Sequence, residues 1–543
     1  METNGGAEIT FFNGKIVTLD SADATVSALA IRNGRILAVG SNEEVKRLSN
    51  SKTRLIDLKG KTMLPGFIDS HAHLAKATLS LRFNVDGRCP PNRSVGDILE
   101  RIRQRVRETP KGHLIMVHGN IFGNLKLAER RWPTKAELDS AAPEHPIVLI
   151  ATAHTHIANT CALRLANITK ESSDPPGGEI GRDELTGEPT GVLRECILFA
   201  PSLTYEDIKE TLRLVVPEYW LKQGFTTAYS FVDGLELKAY QELLGEQSLP
   251  LRVQAMISDP NRRPDSLEGL VKLGILPGLG NDWVKIGGLK IFVDGAFMGL
   301  SAATYDPYLS MKRSDYCGLL RYGDPQIFND LALKAHNAGL SLCVHAIGDK
   351  AQDWALNAYE YVLKANPRYH RHRIEHFGNV MTNPERIHRA KAMGIIPITT
   401  VEWLYAYGDF IRRYLGHERE KQSFVLRSMI EAGLRPANCS DCAGSEPLSI
   451  NPFFSIWCAV TRQTFFGNRL IPDEAITVKE ALQMYTINAA YAGFEENRKG
   501  SIEPGKFADL IVISRDILTI PEDQIKDIEV EMTIIDGKIV YQR

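Results

Sequence analysis

One complete helix-to-strand unit is contained in the segment Asp324-Pro-Gln-Ile-Phe-Asn-Asp-Leu-Ala-Leu-Lys-Ala-His-Asn-Ala-Gly-Leu-Ser-Leu-Cys-Val-His345. Asp324-Pro325 predicts the start of a helix, and apolar residues then recur at helical spacing. Gly339 ends this helix, and residues 340–345 follow as an apolar strand. Proline in the first turn and glycine just past the last turn are the usual signals of helix ends.

The same unit recurs along the second half of the chain, with a period of about 30 residues that favours a parallel sheet. Further helices are predicted over residues 350–366, 384–393 and 422–432. The predicted strands cover residues 63–69, 226–231, 252–257, 288–294, 340–345, 373–376, 395–400 and 434–440. Eight such units predict an α/β fold, a closed (β/α)₈ TIM barrel whose active site lies at the C-terminal ends of its strands.

The two ends of the chain carry similar hairpin patterns. Residues 31–39 alternate about Asn33-Gly34, and residues 533–541 alternate about Asp536-Gly537. Both dipeptides suit type I′ turns, because their residues tolerate positive φ. Residues 9–17 and 508–513 form a second pair of similar strand-like segments at the two ends. Since short hairpins rarely stand alone, we predict one small sandwich-like β-module built from both termini.

These patterns predict three units. The β-module takes residues 1–62 and 500–543, and the barrel takes residues 63–74 and 206–499. Residues 75–205 are too long for a single crossover, and they contain their own predicted helix, 94–107. We therefore predict that they form an insertion after the first barrel strand that covers the barrel mouth.

Composition excludes several classes of protein. Among 543 residues, 64 Lys and Arg balance 66 Asp and Glu, which argues against a general nucleic-acid binder. No apolar run reaches the roughly 18 residues of a membrane span. Residues 1–10 lack the pattern of a secretory signal. The eight cysteines, several of them inside apolar segments, predict reduced, buried thiols in a cytoplasmic protein.

Polar residues collect at the predicted C-terminal strand ends. His71 and His73 end the first strand, and residues two apart on a strand face the same side, so both can bind one ion. His345 ends the fifth strand, His376 ends the sixth, and Asp441 follows the eighth. A single strand histidine is more often a hydrogen-bonded core residue. All five on one barrel rim predict a metal site.

The segment Pro65-Gly-Phe-Ile-Asp-Ser-His-Ala-His73 resembles the opening motif of the metal-dependent amidohydrolase superfamily. A β-module split between the termini is also typical of that superfamily. Further segments resemble the branch that includes N-substituted formamide deformylases: residues 132–139, His154 with 159–163, 187–193, 290–295, 344–349, 374–376 and 439–441.

This resemblance implies a set of metal ligands or their immediate partners, namely His71, His73, His345, His376 and Asp441. It also implies that Lys290 is carboxylated by CO₂ and bridges two metal ions; the alternative is an ordinary ion-paired lysine. Asp294 shares the strand face of Lys290 and is a competing acid near the site. We expect one or two divalent ions, with zinc as the default and iron, manganese or nickel as alternatives.

The implied activity is hydrolysis of a non-peptide C–N bond in a small amide, formamide or cyclic amide. Hydroxide supplied by the metal would attack the carbonyl, and Asp441, with His376 beside it, would move the proton to the departing nitrogen. His154, in the insertion, would hydrogen-bond the substrate carbonyl; its alternative is loop packing. We expect a homodimer that binds neither nucleic acid nor membrane.

Two other functions stay open at this point. One is an amidohydrolase-like protein without turnover that serves binding or signalling. The other is a deaminase, which usually carries an acidic helper three residues after the histidine of the fifth strand. Here the acid is Asp349, four residues after His345, so that signature is imperfect.

Overall fold

A parallel sheet of eight strands forms the centre of the computed structural model. The model describes residues 6–120, 122–152, 155–175, 178–194, 196, 204–258, 265–311, 314–442 and 447–543. In sheet order the strands are Phe67–Ala72, Phe225–Val232, Arg252–Ile257, Val284–Phe292, Leu342–His345, Arg373–Glu375, Ile396–Thr399 and Ala437–Asn438. All neighbouring pairs are parallel. The predicted α/β barrel is confirmed.

The first strand contacts the segment just after the last strand, which brings the sheet round into a barrel. The backbone N–H of Asp441 donates to the carbonyl oxygen of His71 at 2.9 Å. Apolar side chains fill the interior of the barrel, including Ile68, Tyr229, Met256, Cys343, Ile398 and Cys439. A larger apolar cluster lies between the strands and the surrounding helices.

The predicted strand 63–69 is divided in the structure. Thr62–Pro65 belongs to a sheet of the terminal module, whereas Phe67–Ala72 is the first barrel strand. Gly66 lies between them, where a Cβ atom would approach Thr226 Cγ2 to 2.3 Å. This close approach to the second barrel strand explains why the chain passes from one sheet to the other at a glycine.

The helices of the βα units agree with their sequence signals. Pro325–Asn337 begins after Asp324, whose side chain accepts the N–H of Gln326, and Pro384–Met393 has the predicted bounds. The predicted helix 422–432 is shorter, Leu426–Glu431, because Phe424 just before it has a φ of 52°. The other helices are Asn42–Lys46, Leu74–Phe83, Val95–Glu108, Gly123–Lys126, Lys135–Ala141, Thr160–Leu165, Tyr205–Tyr219, Gly234–Gly245, Asp265–Lys272, Asp349–Ala365, Trp403–Tyr407, Ile411–Leu415, His417–Glu420, Pro452–Thr461, Val478–Tyr485 and Ile487–Ala492.

No helix within the described ranges combines the length and the apolar character that crossing a bilayer requires.

Strands from both termini share one sheet. Its order is Lys538–Gln542, Val530–Ile535, Leu510–Ile513, Thr62–Pro65, Lys15–Val17 and Thr25–Val26. A second sheet has the order Arg35–Gly40, Ala28–Arg32, Ile9–Phe12 and Arg54–Asp57. The predicted turns at Asn33-Gly34 and Asp536-Gly537 are present, with φ between 52° and 73° at all four residues.

The predicted hairpin over residues 9–17 is wrong. Ile9–Phe12 pairs with Ala28–Arg32 and Arg54–Asp57, while Lys15–Val17 pairs in the other sheet. The chain crosses between the two sheets at Asn13-Gly14, so each strand buries its apolar side against a different partner.

Residues between the first and second barrel strands form a separate sheet. Its order is Glu179–Arg182, Pro189–Arg194, Thr155–Ala158, Ile147–Thr152, Ile115–His118 and Val85–Asp86. Phe122 extends from this region to the barrel loops, where its ring lies 5.9 Å from that of Phe297 and 5.2 Å from that of Phe410. The division of the chain into three units, with the stated bounds, stays a prediction.

Candidate metal centre

Five of the predicted site residues lie at the C-terminal end of a barrel strand or within three residues of it; His345 is the last residue of Leu342–His345. His71 lies in the first strand and His73 just after it; His376 follows Arg373–Glu375, and Asp441 follows Ala437–Asn438. His376 has a φ of 67° and Asp441 a φ of 42°. Such left-handed backbone is uncommon outside glycine and collects at functional sites. Both side chains are therefore held where an ordinary strand would not place them.

These residues converge on one point. Asp441 Oδ1 lies 3.1 Å from His71 Nε2 and 3.3 Å from His73 Nε2, and Asp441 Oδ2 lies 3.8 Å from His376 Nε2. One donor atom from each of His71, His376 and Asp441 lies within 4.8 Å of the others. This spacing is that of ligands around a common cation.

The protonation of these groups fits a metal ion. Burial lowers the pKa of His73 to about 4 and that of His376 to about 3, so both imidazoles are neutral near pH 7. Burial alone would raise the pKa of Asp441, but the neighbouring His71, His73 and His376 lower it well below its ordinary value. Neutral imidazole and ionised carboxylate are the donors that zinc and similar divalent ions bind.

Lys290 also reaches this centre. Its Nζ lies 3.3 Å from His71 Nε2. The ring centroids of Phe231 and Phe292 lie 4.1 and 4.6 Å from the same nitrogen. Burial lowers the pKa of Lys290 to about 8. A larger fraction of the amine is therefore neutral than in an exposed lysine, and the neutral amine is the form that reacts with CO₂.

His345 lies beside the centre with one nitrogen turned to a carbonyl group. Its ring centroid is 4.8 Å from that of His376, and its Nε2 lies 2.9 Å from the carbonyl oxygen of Gly295. It is not part of the group of donor atoms found among the described residues. Ligation by His345 stays a prediction.

Asp294 serves the loops at the barrel mouth. Its carboxylate accepts the backbone N–H groups of Ala303, Ile347 and Gly348 at 2.8–3.1 Å. Burial raises the pKa of Asp294 to about 7. The carboxylate is thus engaged with backbone groups and lies 3.7 Å from His345 Nε2.

His154, which was predicted to contact the substrate, lies outside the described residues.

His376 is oriented by two neighbours. Its Nδ1 lies 3.1 Å from the hydroxyl of Thr400, and the indole of Trp403 stacks on its ring at 4.9 Å with an interplanar angle of 16°. Both contacts direct Nε2 towards Asp441. Trp403 and Thr400 therefore support the position of this histidine rather than contributing ligand atoms.

Sequence reasoning missed Glu375, which contacts His71, and Arg373, which holds Glu375 in place. Glu375 Oε2 lies 2.6 Å from His71 Nδ1, and Arg373 binds both oxygens of Glu375. All three side chains are at most 1% exposed. The sequence shows that Arg373 and Glu375 lie two residues apart on one strand and therefore share a face. It does not show that they contact the first barrel strand.

Comparisons with known proteins identify the family. The profile of the amidohydrolase family matches residues 54–541. N-substituted formamide deformylase of Arthrobacter pascens is 31% identical, over 99% of this chain and 98% of the relative. Protein LONG AFTER FAR-RED 3 of Arabidopsis thaliana is 30% identical, over 98% of this chain and 92% of the relative. The crystal structure of an uncharacterized metal-dependent hydrolase from Pyrococcus horikoshii superposes with a TM-score of 0.74 at 27% identity, over 95% of this chain and 99% of that one. The chain therefore belongs to the amidohydrolase family of hydrolases, as its motifs predicted.

Proposed function

We propose that this protein is a metal-dependent hydrolase that cleaves a non-peptide C–N bond in a small amide, formamide or cyclic amide. The observation that carries the proposal is the convergence of His71, His73 and His376 on the carboxylate of Asp441. The full-length similarity to an N-substituted formamide deformylase supports the bond class.

The residues that would hold the metal are His71, His73, His376 and Asp441, with Lys290 and His345 as further proposed ligands. We expect zinc, because the set mixes neutral imidazole with carboxylate. A divalent ion in such a site lowers the pKa of a water and polarises a carbonyl oxygen. One ion needs only the histidines and Asp441, whereas a carbamate on Lys290 would supply the anionic oxygen donor for a second.

The residues of the chain itself would orient the substrate and move the proton. Asp441 is ionised and lies against three imidazoles, so it can accept the proton of the attacking water and return it to the departing nitrogen. His376, fixed by Thr400 and Trp403, keeps its Nε2 turned to Asp441. We propose that His154 donates a hydrogen bond to the substrate carbonyl oxygen, which develops negative charge during attack.

The position of Asp349 supports hydrolysis over deamination. Its carboxylate accepts the backbone N–H of Tyr305 at 3.1 Å and that of Lys350 at 2.9 Å. Asp349 therefore stabilises the loop and the helix start after the fifth strand. A proton-transferring helper would instead need to face the same centre as Asp441.

The decisive experiment is a substrate screen on metal-loaded protein. N-alkyl and N-aryl formamides, N-acyl amines and cyclic amides are incubated with the enzyme, and the released amine or opened ring is detected. We expect turnover in one of these classes and its loss after chelation. Metal-replete protein without turnover on any of them would favour the binding or signalling alternative.

The metal count separates the two forms of the site. Protein reconstituted with zinc and bicarbonate should hold two ions if Lys290 is carboxylated, and one ion when CO₂ is excluded.

We further propose a homodimer in the cytoplasm. Light scattering at several concentrations tests the oligomeric state.

A further inference from the structure

We propose that Glu375 and Arg373 form a positioning pair that fixes the tautomer and the orientation of His71 and thereby sets the affinity of the centre for its metal. This inference rests on the proposed function in one respect, namely that His71 is a metal ligand.

The hydrogen bond between Glu375 and His71 determines which imidazole nitrogen is available. Glu375 Oε2 lies 2.6 Å from His71 Nδ1, with both side chains at most 1% exposed. An ionised carboxylate only accepts hydrogen bonds, so Nδ1 carries the proton and donates it. The lone pair of His71 then lies on Nε2, the nitrogen that faces Asp441 and Lys290 at 3.1 and 3.3 Å.

Arg373 keeps Glu375 ionised and immobile. The guanidinium donates from Nε to Oε1 at 2.6 Å and from Nη2 to Oε2 at 2.8 Å, which is the bidentate geometry of a strong ion pair. The pair is fully buried, so either partner alone would be an uncompensated charge in the barrel.

The same guanidinium also holds the main chain next to His71. Arg373 Nη2 donates to the carbonyl oxygen of Ser70 at 2.7 Å. One side chain of the sixth strand thus fixes both the backbone before His71 and, through Glu375, the His71 ring.

Glu375 is not itself placed as a ligand. Both of its oxygens accept charge-assisted hydrogen bonds from Arg373, and Oε2 also accepts from His71. Its role is therefore to act through the imidazole. Such carboxylate partners of metal-bound histidine are worth about 10–100-fold in metal affinity.

The test compares Glu375→Gln with Glu496→Gln. Glu496 forms a bidentate pair with Arg371 at 2.7 and 2.5 Å, and this pair contacts none of the site histidines. Zinc affinity is measured by chelator competition, and the cobalt-substituted protein supplies a visible absorption spectrum. We expect Glu375→Gln to weaken zinc binding about 10–100-fold and to alter the cobalt spectrum, whereas Glu496→Gln keeps both at wild-type values.

A second variant covers failure of Glu375→Gln to fold. Arg373→Lys retains a positive charge but loses the bidentate geometry, so we expect weaker zinc binding in the folded protein. Wild-type zinc affinity and cobalt spectrum in the folded variant would overturn the inference and leave the proposed function intact. Failure of the wild-type protein to bind zinc or cobalt would instead reject the proposed function.

Discussion

Asp69 of the first barrel strand accepts two hydrogen bonds from Ser440 at the end of the last, one from its backbone N–H at 2.9 Å and one from its hydroxyl at 2.6 Å. Trp220 Nε1 donates to the same carboxylate at 3.1 Å. Asp69 and Ser440 lie close in sequence to His71 and Asp441. The contact that closes the barrel therefore also sets the register between two proposed metal ligands.

Asp69→Asn should weaken both the fold and the centre. The amide introduces a donor opposite the donors of Ser440 and Trp220, so we expect the free energy of unfolding to fall by about 2 kcal/mol. Zinc affinity should fall too, because Asp441 loses its fixed register with His71. Urea unfolding and chelator competition measure the two effects. Asp527→Asn, at an exposed site, should change stability by less than about 0.5 kcal/mol. Equal stability of both variants would contradict the importance of this contact.

The double variant His71→Ala, His73→Ala should lose its metal while keeping its fold. The two imidazoles supply two of the three histidine nitrogens that face Asp441. We expect elemental analysis to find less than a tenth of the wild-type metal, and circular dichroism to report unchanged secondary structure. Full retention of metal would show that the ion lies elsewhere.

Asp441→Asn should separate metal binding from turnover. The amide keeps an oxygen donor but cannot take a proton at neutral pH, so we expect a loss in kcat of about 100-fold or more with the metal retained. Steady-state kinetics and metal analysis are run on the same preparation. A variant with wild-type kcat would remove Asp441 from the proton path.

His372 and His336 are linked by buried hydrogen bonds, and this arrangement predicts a loss of stability in acid. His372 Nδ1 accepts the backbone N–H of Leu342, His372 Nε2 lies 2.8 Å from His336 Nδ1, and His336 Nε2 lies 2.8 Å from the carbonyl oxygen of Asn366. The carbonyl must accept, so His336 Nε2 and His372 Nε2 carry the protons and both rings are neutral. Burial, with His370, His336 and Arg368 adding to it, lowers the pKa of His372 well below 6.5.

The sign of the effect follows from this depressed pKa. Below pH 6.5 the unfolded chain binds a proton at residue 372 that the folded protein does not, so stability is complete above that pH and is lost as the pH falls. We expect His372 to account for about 2 kcal/mol of the loss between pH 8 and pH 5. Urea unfolding of His372→Phe should show lower stability at pH 8 but a shallower decline towards pH 5. The exposed His388→Gln should keep the wild-type slope; a wild-type slope in His372→Phe would contradict the assignment.

The barrel and most of its rim could be predicted from the sequence because their signals are local. Helix caps such as Asp324 and Asn383, and glycines after helices such as Gly339 and Gly394, mark several βα units. A strand that ends in histidine places that histidine on the rim. The family motif beginning at Pro65 then predicted His71 and His73 as ligands. The structure places His71, His73, Lys290, His376 and Asp441 close together, whereas one nitrogen of His345 faces the Gly295 carbonyl, so its ligation stays a prediction.

What the sequence could not give depends on distant contacts. The first predicted strand divides at Gly66 because Thr226, 160 positions further on, leaves no room for a side chain. The support of His71 by Glu375 joins residues 304 positions apart. The direction of the His345 imidazole likewise depends on the Gly295 carbonyl of another strand end.

The sheet shared by the two termini imposes an order on biosynthesis. Thr62–Pro65 has Lys15–Val17 on one side and Leu510–Ile513 on the other, so its second edge stays open until residues 510–513 have left the ribosome. An unpaired edge of this kind invites aggregation. Nascent chains arrested before residue 510 should therefore need chaperone protection, although every barrel strand has already been synthesised.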